Sequence, residues 1–188
     1  MGTRVTGPGS LTDDPAERPL TMMNLELVVI PVSDVDRSKV FYSSLGWHLD
    51  IDHAASEDYR IVQFTPPGSG CSIMFGTNIT AAAPGSAQGL HLAVADITVA
   101  IEDLRRRGVD VSDAFHDEGG IFHHSNGVGI RKGPNPEHKS YASYATVCDP
   151  DGNGWTLQEI TARLPGVPGD ASFTPQLIRA VWGKGGVT

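Results

Sequence analysis

The sequence predicts an α+β fold made of two β-α-β-β-β modules, and three observations carry that prediction. Asp34 and Gly46 bracket the helical stretch "VDRSKVFYSSL", and Asp96 and Gly108 bracket "ITVAIEDLRRR", with 12 residues from acid to glycine in both. A strand-like run precedes each acid, "NLELVVIPVSD" and "GLHLAVAD", so residue n of the first half matches n + 62 of the second. Two further strand-like runs close each half. A strand–helix–strand pattern repeated at a fixed period marks one supersecondary unit written twice.

Taken in order, residues 1–22 are rich in Gly, Pro, Thr and Asp and are expected to be a disordered leader. A domain is expected over residues 23–162, with module one at about 24–80 and module two at about 88–162. The run "NLELVVIPVSD" is β-branched and predicts the first strand. Asp34 suits a helix N-cap, since its carboxylate can accept the unpaired N–H groups of the first turn. Val35, Phe41, Tyr42 and Leu45 share a broad helical face, and Gly46 supplies the stop. The alternating piece "WHLDID" follows, matched by "VDVSDA" after Gly108. Strands "DYRIVQFT" and "CSIMFGT", turned by Pro66-Pro67-Gly68, complete module one. Strands "YASYATVCD" and "GWTLQEI", joined through "DPDGNG", complete module two. Matching Met74 to Thr156 gives an offset of 82 instead of 62, so module two holds an insertion of about 20 residues, placed in a long loop at 115–140. Residues 163–188 are a tail with a short amphipathic end, either docked on the domain or a partner, or frayed.

Bulk properties narrow the function classes. Hydrophobic residues make up 39% and charged residues 19%, which suits a soluble globular domain. The net charge is −8 and the only basic run is Arg105-Arg106-Arg107, so a nucleic-acid partner is not expected. No apolar run approaches the roughly 20 residues that span a bilayer. The leader lacks an apolar signal core, so a cytoplasmic location is expected, with no membrane partner. Cys71 and Cys148 are then expected as free, half-buried thiols, and Cys148 as a small buried hydrophobe.

The duplicated unit, with "VSDVDRSKVFYSSLGW" early and "DPDGNGW" before the last strand, resembles the glyoxalase I / bleomycin-resistance / extradiol dioxygenase superfamily, the vicinal oxygen chelate proteins. The resemblance covers about residues 24–162. It implies a curved mixed sheet around a small-molecule cavity, and a homodimer completing or supporting it. It does not fix the activity, because the family holds lyases, isomerases, dioxygenases and drug-sequestering proteins. Metal-dependent members place His, Gln or Glu on the first and last strand of each module. Carried over, those positions fall on Leu27, Met74, Gly89 and Thr156. No metal is expected there, because a divalent ion needs converging nitrogen and oxygen donors.

The site candidates follow from strand parity, since side chains alternate with period two. On the register that the resemblance implies, Gly89, His91, Ala93 and Ala95 should face the cavity, and Leu90, Leu92 and Val94 the helix. His91, whose repeat mate is Val29, is the candidate catalytic group; a buried histidine satisfied by a neighbour and a relocated metal ligand are its other readings. Met74, Thr156 and Gln158 should line the cavity as substrate-binding residues, with one of Tyr141 and Tyr144. Glu159 has helix-side parity and is expected at the rim. The loop holds His116, His123, His124 and His138, together with Asp117 and Glu118. It could fold over the cavity as a lid bending at Gly119 and Gly120, bringing Glu118, His123 or His124 to the site, or be only a polar loop. The expected function is small-molecule binding with proton transfer of lyase or isomerase type and no cofactor. The alternatives are a non-catalytic drug- or metabolite-binding protein, and a metal-dependent lyase or dioxygenase using His91 with His123 or His124 and Glu118.

Overall fold

The computed structural model describes residue 21, residues 23–118 and residues 127–163. The expected leader up to residue 20, the tail from residue 164, and His123 and His124 with the hinge glycines lie outside the described residues. Module one runs β1 (Leu27–Val29), α1 (Val35–Ser44), β2 (His48–Ser56), β3 (Tyr59–Thr65) and β4 (Ser72–Thr77). Module two runs β5 (Leu90–Val94), α2 (Ile97–Arg106), β6 (Phe115–Asp117), β7 (Ile130–Lys132), β8 (Ser143–Cys148) and β9 (Gly154–Glu159).

The duplication is literal in the sheets. Module one orders its strands β1-β4-β3-β2, and module two orders them β5-β9-β8-β6-β7. In each, the first strand pairs parallel with the last, and the other ladders are antiparallel. Among the described residues each module forms its own mixed sheet, of four and five strands.

Both helices start as the sequence predicts. The Asp34 carboxylate accepts from the Arg37 N–H, and Asp96 accepts from the N–H groups of Thr98 and Val99. Gly46 and Gly108 follow the helix ends at φ +79° and +78°, where a Cβ is disfavoured. Helix-side parity builds the core. Ile73 and Phe75 of β4, Val62 and Phe64 of β3, and Ile30 bury around Tyr42 of α1. Trp155 of β9 joins that same cluster, with its ring 5.3 Å from Trp47 and 6.3 Å from Tyr42. Module two's helix side therefore packs against module one's core. Ile97, Ile101, Val111, Ala145 and Leu157 form a second cluster under α2. Each fully buried side chain of this size contributes about 1.5–3 kcal/mol.

Module two departs from the expected pattern in two places. "VDVSDA" does not become a strand; Val111 alone bridges to Val147. Its place beside β8 is taken by β6, which pairs with β7, so the expected loop carries a two-stranded ribbon. Two smaller expectations are also corrected. Cys148 is exposed, because it shares the parity of Thr146 and not that of buried Val147. Glu159 is only 1% exposed instead of lying at a rim. Its Oε2 accepts from the Ile97 N–H at 3.0 Å, so it caps the first turn of α2 from below.

A charged cluster ties α1 to the edge of sheet one. Asp52 accepts from Arg60 at 2.8 and 2.9 Å and from Lys39 at 2.6 Å, and Arg60 also reaches Asp36. Hydrogen bonds from Arg60, then Lys39, hold the Asp52 carboxyl well below its usual range. A depressed folded-state pKa gives stability that is present above the ordinary carboxylate value of about 3.9 and is lost as pH falls below it. Asp52→Asn should therefore cost up to about 1 kcal/mol at neutral pH, and the gap to the parent should close steadily below pH of about 4. Urea midpoints measured at both pH values check this.

Candidate functional site

Each sheet has a helix side and an open face. Along β5 the burial alternates, with His91 and Ala93 exposed and Leu90, Leu92 and Val94 packed inward, as parity predicts. On β9, Trp155, Leu157 and Glu159 are buried on the helix side, while Thr156 and Gln158 are half-buried on the open face. The open face of sheet two thus carries a row of His91, Thr156 and Thr146, and a row of Ala93, Gln158, Tyr144 and Phe115. On sheet one the matching row is Val29, Met74, Gln63 and Ile51.

Hydrogen-bond direction fixes the state of His91. The Tyr141 carbonyl can only accept, so the Gln158 amide must turn its nitrogen toward it, at 3.1 Å. Gln158 Oε1 then faces His91 Nδ1 at 3.3 Å, so Nδ1 carries the proton and donates. Nε2 takes no part in that bond and is the acceptor of the ring in its uncharged form. Tyr144 is 1% exposed, stacks on Phe115 at 5.6 Å between ring centroids, and donates its phenol to the Tyr141 carbonyl at 2.6 Å. Burial pushes that phenol up to about 12, so it is a neutral donor at any physiological pH.

The structure brings His91, Thr156, Gln158 and Tyr144 together on one face. Met74 lies on the open face of the other sheet, beside Val29. Tyr141 is not a strand residue; it sits before β8 at φ +69° and acts through its backbone, its N–H donating to the Glu159 carbonyl at 2.7 Å. Glu118 follows β6 and forms an ion pair with Arg131 of β7, through Arg131 Nε at 2.6 Å and Arg131 Nη2 at 2.6 Å. His116 donates to the Gly133 carbonyl at 2.8 Å, and His138 lies 3.6 Å from Glu159.

The four metal positions that the resemblance implies carry no adequate donor set. Leu27 and Gly89 offer no donor side chain, Met74 a thioether and Thr156 a neutral hydroxyl, so the residues do not fit a divalent metal there. Across the ladder, Thr156 stands opposite His91, and Gly89 lies one residue before the strand. Among the described residues, no group of three or more His, Cys, Asp or Glu side chains could hold a metal ion. None of the described helices is long and apolar enough to cross a membrane.

The sequence reading missed Gln63, and with it a polar patch on sheet one. The signal was present in "DYRIVQFT", where Gln63 alternates with buried Val62 and Phe64. Asp50 was hidden by a β-bulge. The register of β2 against β3 shifts between Leu49 and Ile51, so Asp50 is an extra residue. It reaches Thr65 and Gln63 on the open face, whereas Asp52 faces the helix.

Comparison with known proteins agrees with this layout. The model of the Glyoxalase/Bleomycin resistance protein/Dioxygenase superfamily matches residues 24–157. Among solved structures, TnmS3, an antibiotic binding protein from Streptomyces sp. CB03234, is 26% identical at a TM-score of 0.54, the alignment covering 76% of this chain and 99% of that one. A glyoxalase/bleomycin resistance protein from the same organism is 27% identical at 0.51, covering 72% and 100%. A superfamily member from Sphaerobacter thermophilus DSM 20745, 24% identical at 0.54 over 74% and 99%, is alike in fold. No curated protein matches the chain. With the family model spanning both modules and the strand order repeated in each, the chain belongs to the Glyoxalase/Bleomycin resistance protein/Dioxygenase superfamily.

Proposed function

We propose that the chain binds a small organic molecule against the open faces of its sheets and holds it without a metal centre. The observation that carries this reading is the fixed polar chain of His91, Gln158, Tyr144 and the Tyr141 carbonyl, with Ala93, Phe115, Thr146 and Thr156 beside it on the open face. A few fixed polar groups on an otherwise apolar surface suit an organic ligand with one or two polar handles. The antibiotic binding protein at 26% identity points the same way. Val29 and Ile51 are 37% and 40% exposed on the open face of sheet one, so a second copy covering these faces would also enclose the ligand.

Gln158→Ala should weaken the ligand at least about tenfold, equivalent to about 1.4 kcal/mol, by removing a handle and freeing the His91 ring. A panel of aromatic antibiotics, screened by thermal shift and then titrated by calorimetry, tests this. If no member binds, or if Gln158→Ala binds the hit as tightly as the parent, the reading fails. A second reading is supported by the exposed His91 Nε2, which could accept a proton from a carbon acid. Ligand recovered unchanged after long incubation favours holding; product that disappears in His91→Gln favours catalysis.

A further inference from the structure

We infer that His48, oriented by Asp50, is a second polar subsite of the ligand face and accepts the acidic hydroxyl, phenol or enol, of the bound molecule. The inference rests on the reading that the open faces bind a ligand. His48 lies at the start of β2 opposite Thr65, on the open face of sheet one, and is 79% exposed. Its Nδ1 is 2.8 Å from Asp50 Oδ1. The carboxylate can only accept, so Nδ1 carries a proton and donates, and Nε2, the acceptor of the uncharged ring, takes no part in the bond. Asp50 Oδ2 accepts from the Thr65 hydroxyl at 2.6 Å and from the Gln63 amide at 3.3 Å. Thr65 has one proton and gives it to Asp50, so the contact of 2.7 Å between Thr65 and Ser72 has Ser72 as donor.

The His48 ring, the Thr65 hydroxyl and the Gln63 amide therefore all donate to one carboxylate. Asp50 is served by His48, Thr65 and Gln63, and the Thr65 bond, ahead of the others, holds its carboxyl below the usual range. Its charge is satisfied within the protein. The exposed atom of the patch is His48 Nε2, which the uncharged ring offers to a ligand as an acceptor. An imidazole held in this tautomer matches an acidic O–H, whose proton it can accept while the developing imidazolium keeps Asp50 as counter-ion. The same construction appears on sheet two, where Gln158 holds His91 by Nδ1. Gln158 is neutral and Asp50 is charged, so of the two only Asp50 supplies a counter-ion to an imidazolium.

The test uses the full chain with p-nitrophenol and its methyl ether, 4-nitroanisole, which has the same ring and no proton. Equilibrium dialysis reads retention, and absorbance of the phenolate reads ionisation, in buffer below the probe's own pKa. The expected result is saturable, ionised p-nitrophenol in the parent and in Asp52→Asn. His48→Gln should bind it at least tenfold more weakly and un-ionised, and Asp50→Asn should lower the ionised fraction. Retention of 4-nitroanisole should be equal in all four proteins. Equal ionisation in His48→Gln, or loss of ionisation in His91→Gln instead, overturns the inference. Retention of 4-nitroanisole with p-nitrophenol un-ionised removes this subsite and leaves the ligand face standing. Retention of neither probe removes both.

Discussion

Asp149→Ala should cost about 3–5 kcal/mol, enough to unfold a large fraction of a marginally stable domain. Asp149 is 4% exposed and accepts four hydrogen bonds. Oδ1 takes the N–H groups of Asp151 and Asn153, each at 2.9 Å. Oδ2 takes the Tyr42 phenol at 3.1 Å and the Asn153 amide at 2.7 Å. Asn153, fully buried, also donates to the Pro31 carbonyl at 2.9 Å and accepts from the Ala87 N–H at 3.0 Å. One turn in module two thereby grips α1, the end of β1 and the segment before β5. Removing the carboxyl leaves the Tyr42 hydroxyl and the Asn153 amide short of acceptors in a dry site, which is the costly kind of loss. The Tyr42 phenol is held above its ordinary value first by burial, which persists in the variant, so it does not ionise to compensate. Urea unfolding of Asp149→Ala, Asn153→Ala and the double variant is the measurement. The double variant should lose less than the sum of the two, because the residues act as one network. Single losses near 0.5 kcal/mol that simply add would show that the turn does not join the modules.

The second large effect is expected at Gly76. An ideal Cβ built there falls 1.9 Å from the Arg60 carbonyl oxygen and 3.1 Å from the Ile61 Cα. Both are backbone atoms of the neighbouring strand, so no rotamer change relieves the clash. Gly76→Ala must push β3 and β4 apart at the centre of sheet one, at a cost of about 3 kcal/mol or more. A lowered midpoint with an unchanged m-value checks it. Gly70→Ala is the control, since nothing lies within 4 Å of its Cβ. Equal stability of the two variants would mean that the strands do not approach this closely.

The fold was legible because its signals are local and written twice. Asp34 and Asp96 cap helices by short-range hydrogen bonds, Gly46 and Gly108 take positive φ, and the alternation of His91 with Leu90 and Leu92 sets a face without any knowledge of the rest of the chain. The parts that escaped depend on distant partners. Glu159 has helix-side parity from sequence, but its burial depends on the Ile97 N–H that needs capping 62 residues away. Strand β6 exists because β8 and β7 lie on either side of it, and "FHD" alone has no strand signature. The bulge at Asp50 inverts parity in mid-strand, so a period-two reading of "WHLDID" puts Asp50 and Asp52 on one face when they lie on two. For the site, parity picked out His91, Thr156 and Gln158. The tautomer of His91 was beyond reach, because it is dictated by the carbonyl of Tyr141 in a different segment.

The alternation along β4 and β9 has a bearing on how such a protein can diverge. Ile73, Phe75, Trp155 and Leu157 hold the domain together, and Ser72, Met74, Thr156 and Gln158 stand between them facing the other way. The modules are fastened by Trp155, which packs in module one's core, and by the turn around Asp149 and Asn153. A lineage can therefore exchange Met74 or Thr156, one position at a time, and change the open face while the core keeps its packing. The same freedom makes kinship a poor guide to the chemistry of that face. Two descendants can share every core residue and the fastening turn and still present unrelated open faces.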